Sequence, residues 1–403
     1  MTRPSADPPD PAPVSSPAAA PSSRRSLVVL TSAFFFIFLG AGATQQFIVP
    51  YLSERNGWTP PQCSWVLGCV YLSAIVWRLL CAYTVNLLGA RLSIILGQLA
   101  YTGFVVAMAL QGGYPALIFA ALVWGWGAAA IWTTGPAQIL ETSARVRYGS
   151  AAGIFFTGVH LGQGLGVLLL GWLLGHCGGP TMLWTAVAIS LIANVITLWT
   201  PNVEVHRDPP GLLDVVRVFS TPKGAMLSFV LFTSSFGFGI VLSTLSSVVA
   251  ESKGLGVIAH VTIGFYAARL VVSWISGFLA DRIGRIAVMV SGFTLAAVGL
   301  ALAAASRSPY VLAATALVLG VQAGSNNVAI MALVGDSIEP GRRHLAFGAL
   351  YAWSNLGIGL TIILGQYLLV WFSKGICFGA FAVAMALCAL VSLEIGRRKS
   401  ERL

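Results

Sequence analysis

Hydrophobic positions in this chain form long unbroken runs, not the alternating or three-to-four spacing that marks a half-buried strand or helix. Twelve runs are read at about residues 26–52, 63–86, 91–110, 115–140, 149–174, 181–200, 224–250, 257–280, 286–305, 309–335, 344–372 and 375–394. Each is close to or beyond the roughly 20 apolar residues that a helix needs to cross the hydrocarbon core of a bilayer. Within lipid a helix satisfies its own backbone polar groups, so the pattern predicts an all-α membrane protein with twelve transmembrane helices. Residues 1–25 are rich in Pro, Ala and Ser, too polar to form a core, and predict a disordered tail. The Arg24-Arg25 pair faintly resembles a secretory or twin-arginine signal, but the run beyond it continues to Leu52 with no A-x-A cleavage pattern, which favours a retained first helix. The longest break, 201–223, carries Glu204, Arg207, Asp208, Pro209, Pro210, Asp214 and Arg217. It divides the runs into two sets of six, 26–200 and 224–395, with a short tail at 396–403.

Composition agrees, with 57% hydrophobic and 9% charged residues against about 25% charged in soluble domains. Mean hydropathy is +0.84, and a soluble enzyme is excluded. The formal charge of +10 would suggest nucleic acid if the cations formed one face, but they flank the apolar runs instead. With the amino terminus inside, seventeen Lys and Arg fall on the inner side and four, Arg55, Lys253, Arg307 and Lys374, on the outer side. That asymmetry predicts cytoplasmic termini in a cell inner membrane. The six cysteines lack both disulfide-framework density and zinc spacing, and read as small buried hydrophobes. His176-Cys177 and His260 are isolated as metal ligands, no cofactor motif is present, and G-x-x-x-x-G-K-[ST] is absent, so energy for any transport comes from a gradient or exchange.

One constant offset of 195 residues pairs Gly42 with Gly237, Gly89 with Gly284, Gly97 with Gly292, Gly125 with Gly320, Glu141 with Asp336, Arg147 with Arg342, Gly153 with Gly348 and Gly162 with Gly357. A parallel repeat of two six-helix halves suits a rocking transporter with its site between the halves. At the end of the eighth run, Gly277-Phe278-Leu279-Ala280-Asp281-Arg282-Ile283-Gly284-Arg285 resembles the G-x-L-x-D-R-x-G-R loop of the major facilitator superfamily, and the resemblance extends over residues 26–395. It implies the major facilitator fold and a role for Gly277, Asp281, Arg282, Gly284 and Arg285 in the conformational switch; the plainer reading is a topology anchor, with Asp281 near a helix amino terminus. The first-half equivalent has Ala82 and Asn86 where Gly and Asp belong but keeps Gly89 and Arg91. Val49-Pro50-Tyr51, Asn56-Gly57-Trp58, Ser64-Trp65-Val66, residues 145–166 and Arg269 are further similar to the monocarboxylate porter and oxalate/formate antiporter branches. That resemblance implies that Arg269 binds the substrate carboxylate. The chain departs from those branches: Phe265 stands where the porters carry Asp, the first helix has no Lys, and helix 11 offers Trp353, Ser354 and Asn355 in place of a Lys. The porters' proton mechanism does not carry over, and a monovalent anion is favoured over a dicarboxylate unless Arg78 supplies a second charge.

An arginine inside the membrane costs about 2.5–3.5 kcal/mol on insertion scales and marks a functional site by default. Arg269 precedes Asp281 by 12 residues, hence about 18 Å of helix; Arg78 precedes Asn86 by 8, about 12 Å. The offset carries Arg78 onto Ser273, one turn from Arg269 on the same face. All thirteen acidic residues lie in loops, tails or helix ends. Arg269 therefore either awaits an anionic substrate, whose carboxylate matches the guanidinium fork, or is satisfied by carbonyls, water and side chains such as Gln322, Asn326, Asn327 and Asn355. Arg78 reads first as a network or gate residue. His160 and Asn355 are repeat partners, and His160 is either a packing residue or, facing a cavity, the titratable group for a coupling proton. Gln45 and Gln46 either line a path or stitch helices, and Trp124, Trp126, Trp132 and Trp353 either wall a ligand or pack.

The expected partners are thus a small organic anion, typified by a monocarboxylate, and the lipid bilayer. The rivals are efflux of hydrophobic drugs or metabolites, with the tryptophans dominant, and a non-transporting receptor on the same fold.

Overall fold

The structure, a computed structural model, describes residues 21–142, 148–200, 222–306, 308–337 and 343–400; the first twenty residues and most of the linker at 201–223 lie outside them. The helices are α1 (Pro21–Ile37), α2 (Ile48–Asn56), α3 (Pro60–Leu88), α4 (Ala90–Ala109), α5 (Tyr114–Thr142), α6 (Tyr148–Cys177), α7 (Gly179–Thr197), α8 (Pro222–Ser234), α9 (Phe236–Gly239), α10 (Ser246–Lys253), α11 (Ile258–Ile283), α12 (Arg285–Ala305), α13 (Pro309–Ser337), α14 (Arg343–Trp371) and α15 (Lys374–Ser400). Among the described residues there is no strand, and twelve stretches are long and apolar enough to cross a membrane. At both ends helix extends beyond the apolar run, starting at Pro21 and continuing to Ser400. With twelve such stretches Pro21 and Ser400 fall on one side, the terminal side; the opposite side is the distal side.

Local sequence sets the boundaries. Thr59 caps α3: its hydroxyl accepts from the Gln62 backbone N–H at 3.4 Å while the Gln62 side chain accepts from the Thr59 N–H at 3.0 Å, and Pro60 takes the first helical position. At the other end of α3, Gly89 adopts φ +78°, and its repeat partner Gly284 closes α11 at φ +92°. Each lets one helix stop and the next begin with no intervening loop, which a residue with a Cβ resists.

The pseudo-symmetry of the sequence reappears as contacts. A Cβ on Gly125 would lie 2.5 Å from the Val70 carbonyl oxygen, joining α5 to α3, and one on Gly320 would strike the Phe265 carbonyl, joining α13 to α11. Both members of each contact are 195 residues from their counterparts. Helix α7 packs on α4 as α15 packs on α12, and across the halves α3 meets α14 as α6 meets α11.

Crossings one and seven are not continuous α-helices. A π-helical turn occupies Phe38–Gly42 before a turn that leads into α2, and another occupies Ile240–Leu245 between α9 and α10. Backbone groups freed by such breaks need other partners in a membrane. Thr44 Oγ1 donates to the Ala41 carbonyl at 2.6 Å, Gln45 Nε2 to the Gly42 carbonyl at 2.8 Å, and Ser246 Oγ to the Val241 carbonyl at 2.7 Å. The breaks put polar side chains at the centre of the bundle.

Candidate functional site

Between the halves lies a cavity of about 160 Å³. The first half contributes a cluster of rings, Phe38 from the π-turn, Tyr101 from α4, Trp124 and Trp132 from α5, and Phe156 from α6. They hold one another by edge and stacking contacts, with Tyr101 and Trp124 centroids 4.9 Å apart, Phe38 and Trp132 5.4 Å, and Trp132 and Phe156 6.2 Å at 16°. The second half contributes Phe238, Arg269, Tyr351, Asn355 and Ile358. Four pairs of lining residues are related by the repeat offset: Ala74 and Arg269, Phe156 and Tyr351, His160 and Asn355, Gln163 and Ile358. One pseudo-symmetric space therefore has chemically different walls, a ring-lined wall and a wall that carries the α11 cation.

Arg269 emerges from the middle of α11 with its guanidinium carbon 5.3 Å from the Phe238 ring centroid. This cation–π contact leaves the guanidinium N–H groups for a ligand. Among the described residues the guanidinium has no hydrogen-bond or ion-pair partner, and no acidic side chain lines the cavity. His160 stacks beside Phe156 at 6.3 Å. Its Nδ1 and the Asn355 Nδ2 are buried without a hydrogen-bond partner.

The cavity thus brings together Arg269, His160, Asn355, Gln45 and Arg78. Gln45 is spent on structure: it donates to the Gly42 carbonyl and accepts from the Tyr71 hydroxyl. Arg78, on α3, lies 5.1 Å from the Tyr351 ring centroid of α14 and spans the halves on the terminal side of the cavity. Gln322 and Asn326 do not line it. Gln322 turns to crossing seven, donating to the Ser234 carbonyl at 3.1 Å, and Asn326 accepts from Ser325 Oγ at 3.3 Å beside Gly292. Gln322 thus ties α13 to crossing seven, whereas Asn326 bonds only its neighbour on α13. Of the four tryptophans, Trp126 lies instead on a separate apolar groove with Trp77 and Phe119, and Trp353 packs on Phe232 at 6.3 Å. Tyr71, Tyr101, Tyr351 and Gln163 also line the cavity. The offset would have found Tyr351 as the partner of Phe156, but aromatic residues in a membrane helix give no other local signal.

On the distal side the halves are joined. Gln46 donates to the Val241 carbonyl at 2.8 Å, also bonds Ser246 Oγ, and accepts from the Tyr266 hydroxyl at 2.6 Å. Further out, Trp65 Nε1 donates to the Tyr367 hydroxyl at 3.3 Å, linking α3 to α14.

The motif residues sit at the α11–α12 junction. Arg282 lies 4.2 Å from the Phe278 ring centroid, and Arg285 opens α12 directly after Gly284. The surroundings of Gly277 and the side chain of Asp281, and with it the expected helix-end contact, lie outside the described set. His176 donates from Nδ1 to the Trp172 carbonyl at 2.9 Å. Among the described cysteines Cys63, Cys377 and Cys388 are buried as expected of small hydrophobes, Cys69 is partly buried, and Cys177 is exposed.

The profile described as Major Facilitator Superfamily matches residues 30–259 and again 227–402. The chain belongs to the Major Facilitator Superfamily. Solved structures with the same superfamily fold are similar over most of the chain: the nucleoside transporter NupG as its D323A mutant, with 15% identity and a TM-score of 0.75 over 92% of this chain and 99% of that one; and the human organic anion transporter MFSD10 (TETRAN), with 16% identity and a TM-score of 0.66 over 92% of this chain and 100% of that one. At such identities the likeness is one of fold. As a major facilitator the chain is an integral multi-pass membrane protein with a secondary-transporter architecture, not an enzyme.

Proposed function

We propose that this chain is a secondary transporter that moves a small organic anion, a monocarboxylate in the first instance, by alternating access of residues 26–200 and 224–395 around the central cavity. The observation that carries this reading is the Arg269 guanidinium, in cation–π contact with Phe238 and facing a cavity with no carboxylate to neutralise it. A buried cation left without a partner is costly, and a ligand carboxylate meets its fork with two charge-assisted hydrogen bonds. Arg78 lines the same cavity and contacts Tyr351 across the halves, which supports a gate role for it beside the ligand-binding role of Arg269. In this account the protein sits in the inner membrane with cytoplasmic termini, the distal contacts close its outer side, His160 takes the coupling proton, and the α11–α12 junction takes part in the switch.

Ligand-induced thermal stabilisation of the purified protein tests the reading. Monocarboxylates should raise Tm of the wild type, and dicarboxylates should do so less. The effect should vanish in Arg269→Gln and stay weak in Arg269→Lys, because an ammonium cannot present the planar fork. The ring-lined wall favours one other reading, export of neutral or cationic lipophilic compounds. Stabilisation by such compounds that persists in Arg269→Gln and is lost in Trp132→Ala would establish that reading instead.

A further inference from the structure

We infer that the cavity selects a single-ring aromatic monocarboxylate carrying a hydroxyl group, an inference that rests on the anion reading and narrows it. Size limits the body of the ligand first. Cavities of about 150 Å³ accept benzene, and this one holds about 160 Å³. One six-membered ring with a carboxylate is matched to it in size.

Shape and chemistry of the walls then choose the ring. Phe38, Tyr101, Trp124, Trp132 and Phe156 present flat faces and edges from the first half. A planar ring gains offset-stacked and edge contacts there that a saturated chain of equal size does not. Opposite them Arg269, in cation–π contact with Phe238, meets a carboxylate through its N–H groups. The ligand is therefore held across the cavity, its acid on the second half and its ring on the first.

The remaining polar groups call for a substituent. His160, Gln163 and Asn355 line the same space, and none has a hydrogen-bond partner among the described residues. Asn355 is 9% exposed and its Nδ2 is already buried without a partner, so an unsubstituted ring would leave the amide unsatisfied. A hydroxyl both donates and accepts, which suits an amide and an imidazole approaching from opposite halves. A site built to bond a hydroxyl discriminates strongly against the analogue without one.

The test measures dissociation constants for 3-hydroxybenzoate, 4-hydroxybenzoate, benzoate, lactate, octanoate and 1-naphthoate on the detergent-purified full chain and on Arg269→Gln, Trp132→Leu, Trp132→Phe and Asn355→Ala. Elution profile and unliganded Tm verify folding. At least one hydroxybenzoate should bind on the order of tenfold or more tighter than benzoate, 1-naphthoate and the non-aromatic acids. Trp132→Leu should bring the hydroxybenzoate down to the lactate level while Trp132→Phe retains most of the preference. Asn355→Ala should bring it down to benzoate. Lactate or octanoate binding as tightly as the hydroxybenzoates, with dependence on Arg269, overturns the aromatic inference and leaves the anion reading standing. Loss of Arg269 dependence for every acid overturns both. If Trp132→Leu fails to fold, the wild-type series and Trp132→Phe still decide.

Discussion

Gln46 donates its side-chain hydrogen to the carbonyl oxygen of Val241, 2.8 Å away and 195 residues along the chain. That separation is the repeat offset, so the bond joins two pseudo-equivalent positions and lies where the halves meet. The carbonyl is available because crossing seven is π-helical at Ile240–Leu245, and the glutamine is there because crossing one breaks just before α2. Tyr266, one turn from Arg269 on α11, completes the cluster by donating to Gln46 Oε1 at 2.6 Å. The element that carries the candidate ligand-binding cation thus also carries a distal contact between the halves.

Replacing Gln46 with Leu should loosen the distal closure. Intramembrane hydrogen bonds contribute about 0.6 kcal/mol each on average, so loss of the three Gln46 bonds shifts the closed-to-open ratio by about twentyfold. Spin labels placed on α2 and α10 should report a larger population of long distances in Gln46→Leu than in the wild type; unchanged distributions would show that the cluster does not bear on closure.

The helix contacts at Gly125 and Gly320 should tolerate no side chain. Gly320→Val and Gly125→Val should each lower stability by about 1–3 kcal/mol through forced separation of backbones, read as a drop in Tm or loss of monodisperse protein. Gly153→Ala, with nothing within 4 Å of the added carbon, serves as the matched control and should be near neutral.

Twelve crossings and the halves were legible because lipid imposes long apolar runs and because the glycines of the repeat are fixed by backbone contact: Gly125 and Gly320 recur since Val70 and Phe265 recur beneath them. Arg269, His160 and Asn355 were legible as rare polar residues in apolar surroundings. Gln322 and Asn326 carried the same signal yet are packed within the second half, Gln322 bonded to crossing seven and Asn326 set against Gly292, because an amide serves packing as well as a ligand and only its neighbours distinguish the two uses. The ring-lined wall was only partly visible: Trp132 and Trp126 are six residues apart on α5, but one faces the cavity and the other the outer groove.

Cys177 tests the orientation. It is exposed at the distal end of α6, whereas Cys63, Cys377 and Cys388 are buried. In a background where the other five cysteines are replaced, a membrane-impermeant maleimide should label Cys177 in intact cells. Labelling only after the membrane is opened would place the termini outside.

His160 bears on coupling. If its imidazole carries the coupled proton, His160→Gln should abolish uptake driven by a pH gradient while exchange of labelled for unlabelled substrate, which needs no net proton movement, is retained. Loss of both, or of neither, would remove His160 from that role.

Exchange also gives the most direct test of Arg269. Proteoliposomes preloaded with an unlabelled monocarboxylate are diluted into a trace of the same labelled acid, and accumulation is followed for the wild type, Arg269→Gln and Arg269→Lys at matched reconstitution. A carboxylate-binding Arg269 requires a transient overshoot in the wild type, none in Arg269→Gln and a strongly reduced one in Arg269→Lys. Equal overshoots in all three proteins would contradict it.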